Sequence, residues 1–165
     1  LDEEGYLRVI RFKTAKLFEA SARLAPLLAG APAELEATCA RYGQALGTAF
    51  QVIDDVLDYE GDAATLGKNL GDDLREGKNT LPLIIAMQRA SAQDAAVVRS
   101  AIENGSTEQL QAILHIVRST GALDATREAA HAEALRAIAA LAALPGNAYT
   151  EAMRDLASQL LLRRT

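Results

Sequence analysis

With 165 residues, 50% of them hydrophobic but only 4% aromatic, the chain has the size of one domain with an Ala/Leu-rich interior. A net charge of −5, without a basic stripe interleaved with aromatics, excludes a nucleic-acid backbone as partner but leaves open a small anion bridged by metal. Apolar runs are broken by charge well before the roughly 20 residues that a bilayer demands, the N-terminus lacks a signal-peptide pattern, and the single cysteine, Cys39, suits a reducing compartment. A cytoplasmic, not transmembrane, protein is expected, with Cys39 as a helix-packing residue.

In chain order, helical periodicity recurs and strand alternation does not, which predicts an all-α bundle. The first helix runs from about Glu4 to Leu28, with Leu7, Ile10, Thr14, Leu17, Ser21, Leu24 and Leu28 on one buried stripe, and is broken by Gly30-Ala31-Pro32. Lys13 is a helical neighbour of Ile10 and Leu17, so its base lies at the edge of the packed face. Its stem can rest on apolar neighbours while the ammonium reaches a polar cavity.

The second helix runs from Ala33 to Tyr59 and carries the most informative stretch, Phe50 to Tyr59. Gly47, Gln51, Asp54 and Asp58 share one face, and Asp55 lies about 100° away around the helix. Val52, Ile53, Val56 and Leu57 cover the other sides. An acidic stripe with apolar flanks borders a cavity, where unpaired charge is expensive, so a cation should meet it. Oxygen ligands without nearby His or Cys suit Mg2+. A solvated acidic face is the competing reading, and the apolar flanks count against it.

Glu60-Gly61-Asp62 terminates this helix, and Gly67 and Gly71 leave room for close backbone approach to a ligand. Lys68 and Lys78 offer point charges for phosphate. Thr80-Leu81-Pro82 starts the next helix, with Pro near its first turn. Ser91 and Ser106 read as N-caps; Gln109 completes a capping box with Ser106, and Leu110, Ile113, Leu114 and Val117 form the following stripe. Gly121 precedes a long Ala-rich helix ending at Leu144, and Pro145-Gly146-Asn147 turns the chain into the last helix. His115 and His131 have no partner at metal-ligand spacing and read as structural. The arginines Arg163 and Arg164 read as solvated. No internal repeat or linker divides the chain, so residues 1–165 form a single unit.

The run F-Q-x-x-D-D-x-x-D-Y from Phe50, then G-K-x-x-G-D-D-x-x-E-G-K-x-T-L-P-L from Gly67, resembles the second aspartate-rich region of the trans-polyprenyl diphosphate synthases, most closely their bacterial long-chain, octaprenyl-type members. Tyr6 to Phe18 is similar to the family's lysine-threonine helix. The resemblance covers essentially the whole chain. It implies the C-terminal half of the isoprenoid synthase fold, and a prenyltransferase that condenses isopentenyl diphosphate with an allylic diphosphate such as farnesyl diphosphate. The product would be an all-trans polyprenyl diphosphate of the kind used for quinone side chains.

On the same resemblance, Asp54 is the main Mg2+ ligand, with Asp55 and Asp58 completing the cluster directly or through waters. Lys13, Thr14, Gln51 and Lys68 match positions that hold the allylic diphosphate, Lys78 matches less closely, and Phe50 matches an aromatic near the isopentenyl group. Lys13, Lys68 and Asp54 carry the catalytic role, electrostatic work on a departing diphosphate. The complete enzyme would be a homodimer. Members of the family are about twice this length and carry a first aspartate-rich motif that is absent here. The chain is therefore expected to be a C-terminal portion with half a metal site and no turnover of its own. Two other functions remain open at this point: a non-catalytic subunit of a heteromeric prenyl synthase, and a helical Mg2+-binding scaffold without a reaction.

Overall fold

Helices are the regular elements of the computed structural model, which describes residues 1–60 and 70–162; among these there is no strand, and the fold class is all-α as expected. In order they are α1 (Glu3–Ile10), a π-helical turn (Arg11–Ala15), α2 (Lys16–Leu28), α3 (Ala33–Glu60), α4 (Asp72–Arg75), α5 (Leu81–Arg89), α6 (Ala92–Asn104), α7 (Leu110–Ser119), α8 (Ala122–Ala140), a short 3-10 turn (Leu141–Ala143) and α9 (Ala148–Leu162). The expectations for Gly67, Lys68, Arg163 and Arg164 lie outside the described residues.

The stretch expected as one straight helix from Glu4 to Leu28 is interrupted by the π turn, and this overturns the expected stripe. A π turn inserts one residue into the helical repeat, which rotates everything after it by about 100°. Before the turn Tyr6 and Ile10 are buried; after it the inner positions are Ala15, Phe18, Ala22 and Pro26. Leu17, Leu24 and Leu28, expected inside, are 72%, 52% and 79% exposed. Lys13 is exposed as well, so its expected seat at the edge of a packed face beside Leu17 does not form.

The described residues fall into two compact units, one of residues 1–6 and 54–128, the other of 7–53 and 129–162. In the second unit Tyr42, Ala45 and Leu46 of α3 pack with Ala137, Leu141 and Ala157. Two glycines let α3 approach the first helical segment closely. A methyl group on Gly43 would strike the Phe18 carbonyl oxygen, and one on Gly47 would stand 2.8 Å from the Ala15 Cα. The Tyr42 hydroxyl donates to the Met153 carbonyl at 2.9 Å, fastening α9. Glu133, buried on α8, accepts from Arg11 at 2.9 Å and from Arg136 at 3.0 Å. The two arginines and Glu133 line a surface cavity of about 680 Å³ together with Arg41, Gln44 and five alanines.

The first unit is built around α5, whose Leu81, Leu83, Ile84 and Ile85 are buried and which contacts α6 and α7. Ser91 caps α6 as expected, accepting from the Asp94 amide at 3.1 Å. The expected capping box at Ser106 does not form. The Ser106 hydroxyl instead accepts from the Glu108 amide at 3.3 Å, in a side-chain turn, and α7 starts four residues later at Leu110. Short polar side chains stabilise such turns as readily as caps, so the motif alone does not choose between them. Ile113, Leu114 and Val117 are buried as the pattern requires. Asn147 caps α9 through bonds of 3.0 Å from the amides of Tyr149 and Thr150.

Candidate active site

Helix α3 brings the expected polar residues onto one helix at positions 47, 51, 54 and 58, and each unit holds part of the set. In the unit of residues 7–53 and 129–162, the Thr14 hydroxyl donates to Gln51 Oε1 at 2.9 Å. Gly47, one turn before Gln51, permits this reach because a larger residue would push the facing helix away. Phe50 is half-buried and meets Phe18 with ring centroids 5.6 Å apart at 36°, so this aromatic position is held by a packed partner. Thr14, Gln51 and Phe50 are thus brought together with their neighbours, while Lys13 stands exposed beside them in sequence.

In the unit of residues 1–6 and 54–128, Asp54 and Asp58 are half-buried and Asp55 is buried. Asp58 Oδ2 accepts the amide of Asp73 at 3.2 Å, and the Asp58 carbonyl accepts the amide of Gly71 at 3.1 Å. Burial first, and the neighbouring Asp73 charge second, push the Asp58 carboxyl up to about 6, against a backbone hydrogen bond that pulls it down. Asp73 was not singled out from the sequence. The signal that could have found it is the G-D-D tripeptide, which follows Asp58 by about a loop's length.

Two expectations change here. Asp55, expected in one cluster with Asp54 and Asp58, is 2% exposed and accepts a 2.5 Å hydrogen bond from the Tyr6 hydroxyl. Among the described residues no three carboxylates or imidazoles converge on one point. Lys78, expected on phosphate, is held by Asp73 at 2.8 Å and Glu76 at 2.7 Å, and both bonds hold its ammonium above the usual lysine range. Gly71 has its own structural cause. Its φ of 78° and the Leu110 methyl 2.7 Å from a would-be Cβ demand glycine without any ligand. His115 and His131 are exposed.

The donor set still fits a hard divalent cation. It is all oxygen and half-accessible at Asp54 and Asp58, and burial, with the like charge of Asp73 second, leaves Asp58 holding a proton more tightly than an ordinary aspartate does. A cation would relieve that repulsion.

An all-helical chain with this carboxylate-bearing helix, preceded by a threonine-to-glutamine contact, has the character of an isoprenyl synthase. The polyprenyl synthetase family model matches residues 1–118, and the chain belongs to that family. The octaprenyl diphosphate synthase of Escherichia coli (strain K12) is 49% identical over 158 residues, 95% of this chain and 49% of that protein. The all-trans-nonaprenyl-diphosphate synthase (geranyl-diphosphate specific) of Rhodobacter capsulatus is 46% identical over 93% of this chain and 47% of its own. A polyprenyl synthase from Caulobacter crescentus CB15, crystallised with calcium and isoprenyl diphosphate, superposes with a TM-score of 0.93 at 41% identity, covering 100% of this chain and 51% of that one. The chain spans about half the length of the curated relatives it matches.

Proposed function

We propose that this chain is part of a Mg2+-dependent prenyltransferase that joins isopentenyl diphosphate to an allylic diphosphate, such as farnesyl diphosphate, and lengthens an all-trans polyprenyl diphosphate. Membership of the polyprenyl synthetase family supports the reaction class. The observation that carries the site is the half-buried Asp58 beside Asp73, a local excess of negative charge with oxygen donors only.

On this reading Asp54 and Asp58 hold the cation, which supplies electrostatic stabilisation to the departing diphosphate. The Thr14 hydroxyl and the Gln51 amide orient the allylic diphosphate, a reading supported by their hydrogen bond to each other. Lys13, exposed and mobile about four single bonds, supplies a point charge to the same group. Lys78 reaches phosphate only by leaving Asp73 and Glu76, so its first role is to hold Asp73 in place. Lys68 keeps the role that the motif implies. Phe50, fixed against Phe18, offers an apolar wall near the isopentenyl group. No helix among the described residues is long and apolar enough to cross a membrane, and the working enzyme is proposed to be a cytoplasmic homodimer.

Elongation of farnesyl diphosphate with labelled isopentenyl diphosphate and Mg2+ tests this. It is measured on the 165-residue chain and on the chain joined to the half of the E. coli relative that it does not cover. Turnover is expected only in the joined protein. Steady turnover by the chain alone would overturn the proposed need for a second acidic motif. Turnover in neither, with both folded, would favour a non-catalytic subunit.

A further inference from the structure

Along α3, Asp54 and Asp55 stand about 100° apart, so they cannot both face the same point as Asp58. Asp58 is four residues from Asp54 and three from Asp55, and helical spacing alone permits either pair. The choice is made by Tyr6, 49 residues away in sequence, whose hydroxyl donates to Asp55 Oδ2 at 2.5 Å. Both side chains are inside, Tyr6 at 3% and Asp55 at 2% exposure. Mg2+ demands near-octahedral geometry and keeps several waters. A buried carboxylate with one oxygen taken by a short hydrogen bond does not offer it that setting, whereas Asp54 and Asp58 remain half-accessible.

We infer that Tyr6 is a positioning residue for the cation site. It holds Asp55 inside, sets the rotation of this part of α3, and thereby leaves Asp54 and Asp58 outward as the cation-facing pair. Asp55 is then a brace and not a ligand. This rests on the proposed metal role of Asp54 and Asp58.

Burial and the adjacent Asp55 charge drive the Tyr6 hydroxyl far above the usual phenol range, so it stays a donor at any working pH. The arrangement has the form of the outer-shell contacts that orient metal-binding side chains, whose removal typically weakens metal affinity about 10- to 100-fold.

The test is Mn2+ binding, with inorganic diphosphate present, to the full 165-residue chain and its variants, followed by electron paramagnetic resonance of free Mn2+. Circular dichroism checks that each variant is folded. Asp54→Asn is expected to abolish binding. Asp55→Asn keeps an acceptor for the Tyr6 hydroxyl and is expected to hold affinity within about threefold, while Tyr6→Phe lowers it about tenfold. Should Tyr6→Phe fold poorly, Asp55→Asn still decides the case. Loss of binding in Asp55→Asn as complete as in Asp54→Asn would make Asp55 a ligand and overturn the inference. Unchanged affinity in a folded Tyr6→Phe would overturn it too, by reducing the pair to a stability contact. Absence of Mn2+ binding by the unaltered chain would instead overturn the proposed metal site, and the inference with it.

Discussion

Two buried carboxylates in this molecule take donors of different kinds. Glu133, 7% exposed, lies between two guanidinium groups, Arg11 and Arg136, so its charge is more than cancelled within its own unit. Asp55, 2% exposed, has one oxygen held by a neutral donor, the Tyr6 hydroxyl. A structural carboxylate gains from a fixed cation. A carboxylate next to a proposed cation site serves better with a neutral donor, because a resident ammonium or guanidinium would compete with the metal for the field. The contrast also separates stability from function: removing the partners of Glu133 should affect the fold, and altering the acids around Asp55 should affect the chemistry.

The largest effect expected from breaking this contrast is on rate. In the joined, active protein, Asp54→Ala should lower elongation about a thousandfold or more while moving the thermal midpoint little, since several kcal/mol of leaving-group stabilisation go with the metal. Parallel rate and melting measurements check this. A variant that unfolds yet keeps its residual turnover would show that Asp54 belongs to the fold and not to the site.

Next comes stability around Glu133. Arg11→Ala should cost about 2–3 kcal/mol in urea unfolding, because the buried carboxylate loses its more buried cation. Arg136→Ala, whose side chain is 67% exposed, should cost less than about 1 kcal/mol. Equal losses would mean that burial of the cation does not set the strength of this pair.

The tyrosines sharpen the other half of the comparison. Tyr6→Phe should cost about 1.5–2 kcal/mol, the value of a buried hydrogen bond to a charged group. Tyr59→Phe should be within about 0.5 kcal/mol of the unaltered chain, because the buried Tyr59 hydroxyl has the Thr80 hydroxyl near it but makes no hydrogen bond of standard geometry among the described residues. If the two variants cost the same, the 2.5 Å bond to Asp55 contributes nothing net.

The smallest effect is in pH. Burial, and the Asp73 charge after it, hold the Asp58 carboxyl up at about 6 in the folded chain, above the ordinary aspartate value of about 4, so the folded state binds this proton more tightly. In the metal-free chain its stabilising contribution is full below about pH 4 and is lost as pH rises through 6. A divalent cation binds the ionised form, so Mg2+ affinity should be level above pH 6 and fall about tenfold per unit below it. Thermal midpoints with and without Mg2+ at pH 5, 6 and 7.5 measure both limbs; an affinity indifferent to pH over that range would remove Asp58 from the site.

Much of this was legible in the residues themselves. The bounds of α3, expected at Ala33 and Tyr59 and found at Ala33 and Glu60, follow from a proline before one end and the acidic, glycine-bearing sequence Glu60-Gly61-Asp62 at the other. Both segments that carry the family resemblance, Tyr6 to Phe18 and Phe50 to Lys78, lie within the matched range 1–118. The Thr14–Gln51 contact joins two residues that the resemblance had assigned to one diphosphate.

The failures have a common physical source. Nothing in Arg11-Phe12-Lys13-Thr14-Ala15 announces a π turn, since it contains no glycine or proline. One inserted residue was enough to turn Leu17, Leu24 and Leu28 outward. Ser106 had the composition of a capping box and made a different turn with the same hydroxyl. Helix content, the acidic face of α3 and the family were determined by the sequence alone, because periodicity, breakers and motif spacing are short-range properties that each segment carries with it. Only the tertiary structure decided the phase of the first helical segment, the withdrawal of Asp55 to Tyr6, and the capture of Lys78 by Asp73 and Glu76. Those outcomes depend on which buried polar atoms must find partners once distant parts of the chain have packed, and a side chain's nearest acceptor can then stand 49 residues away.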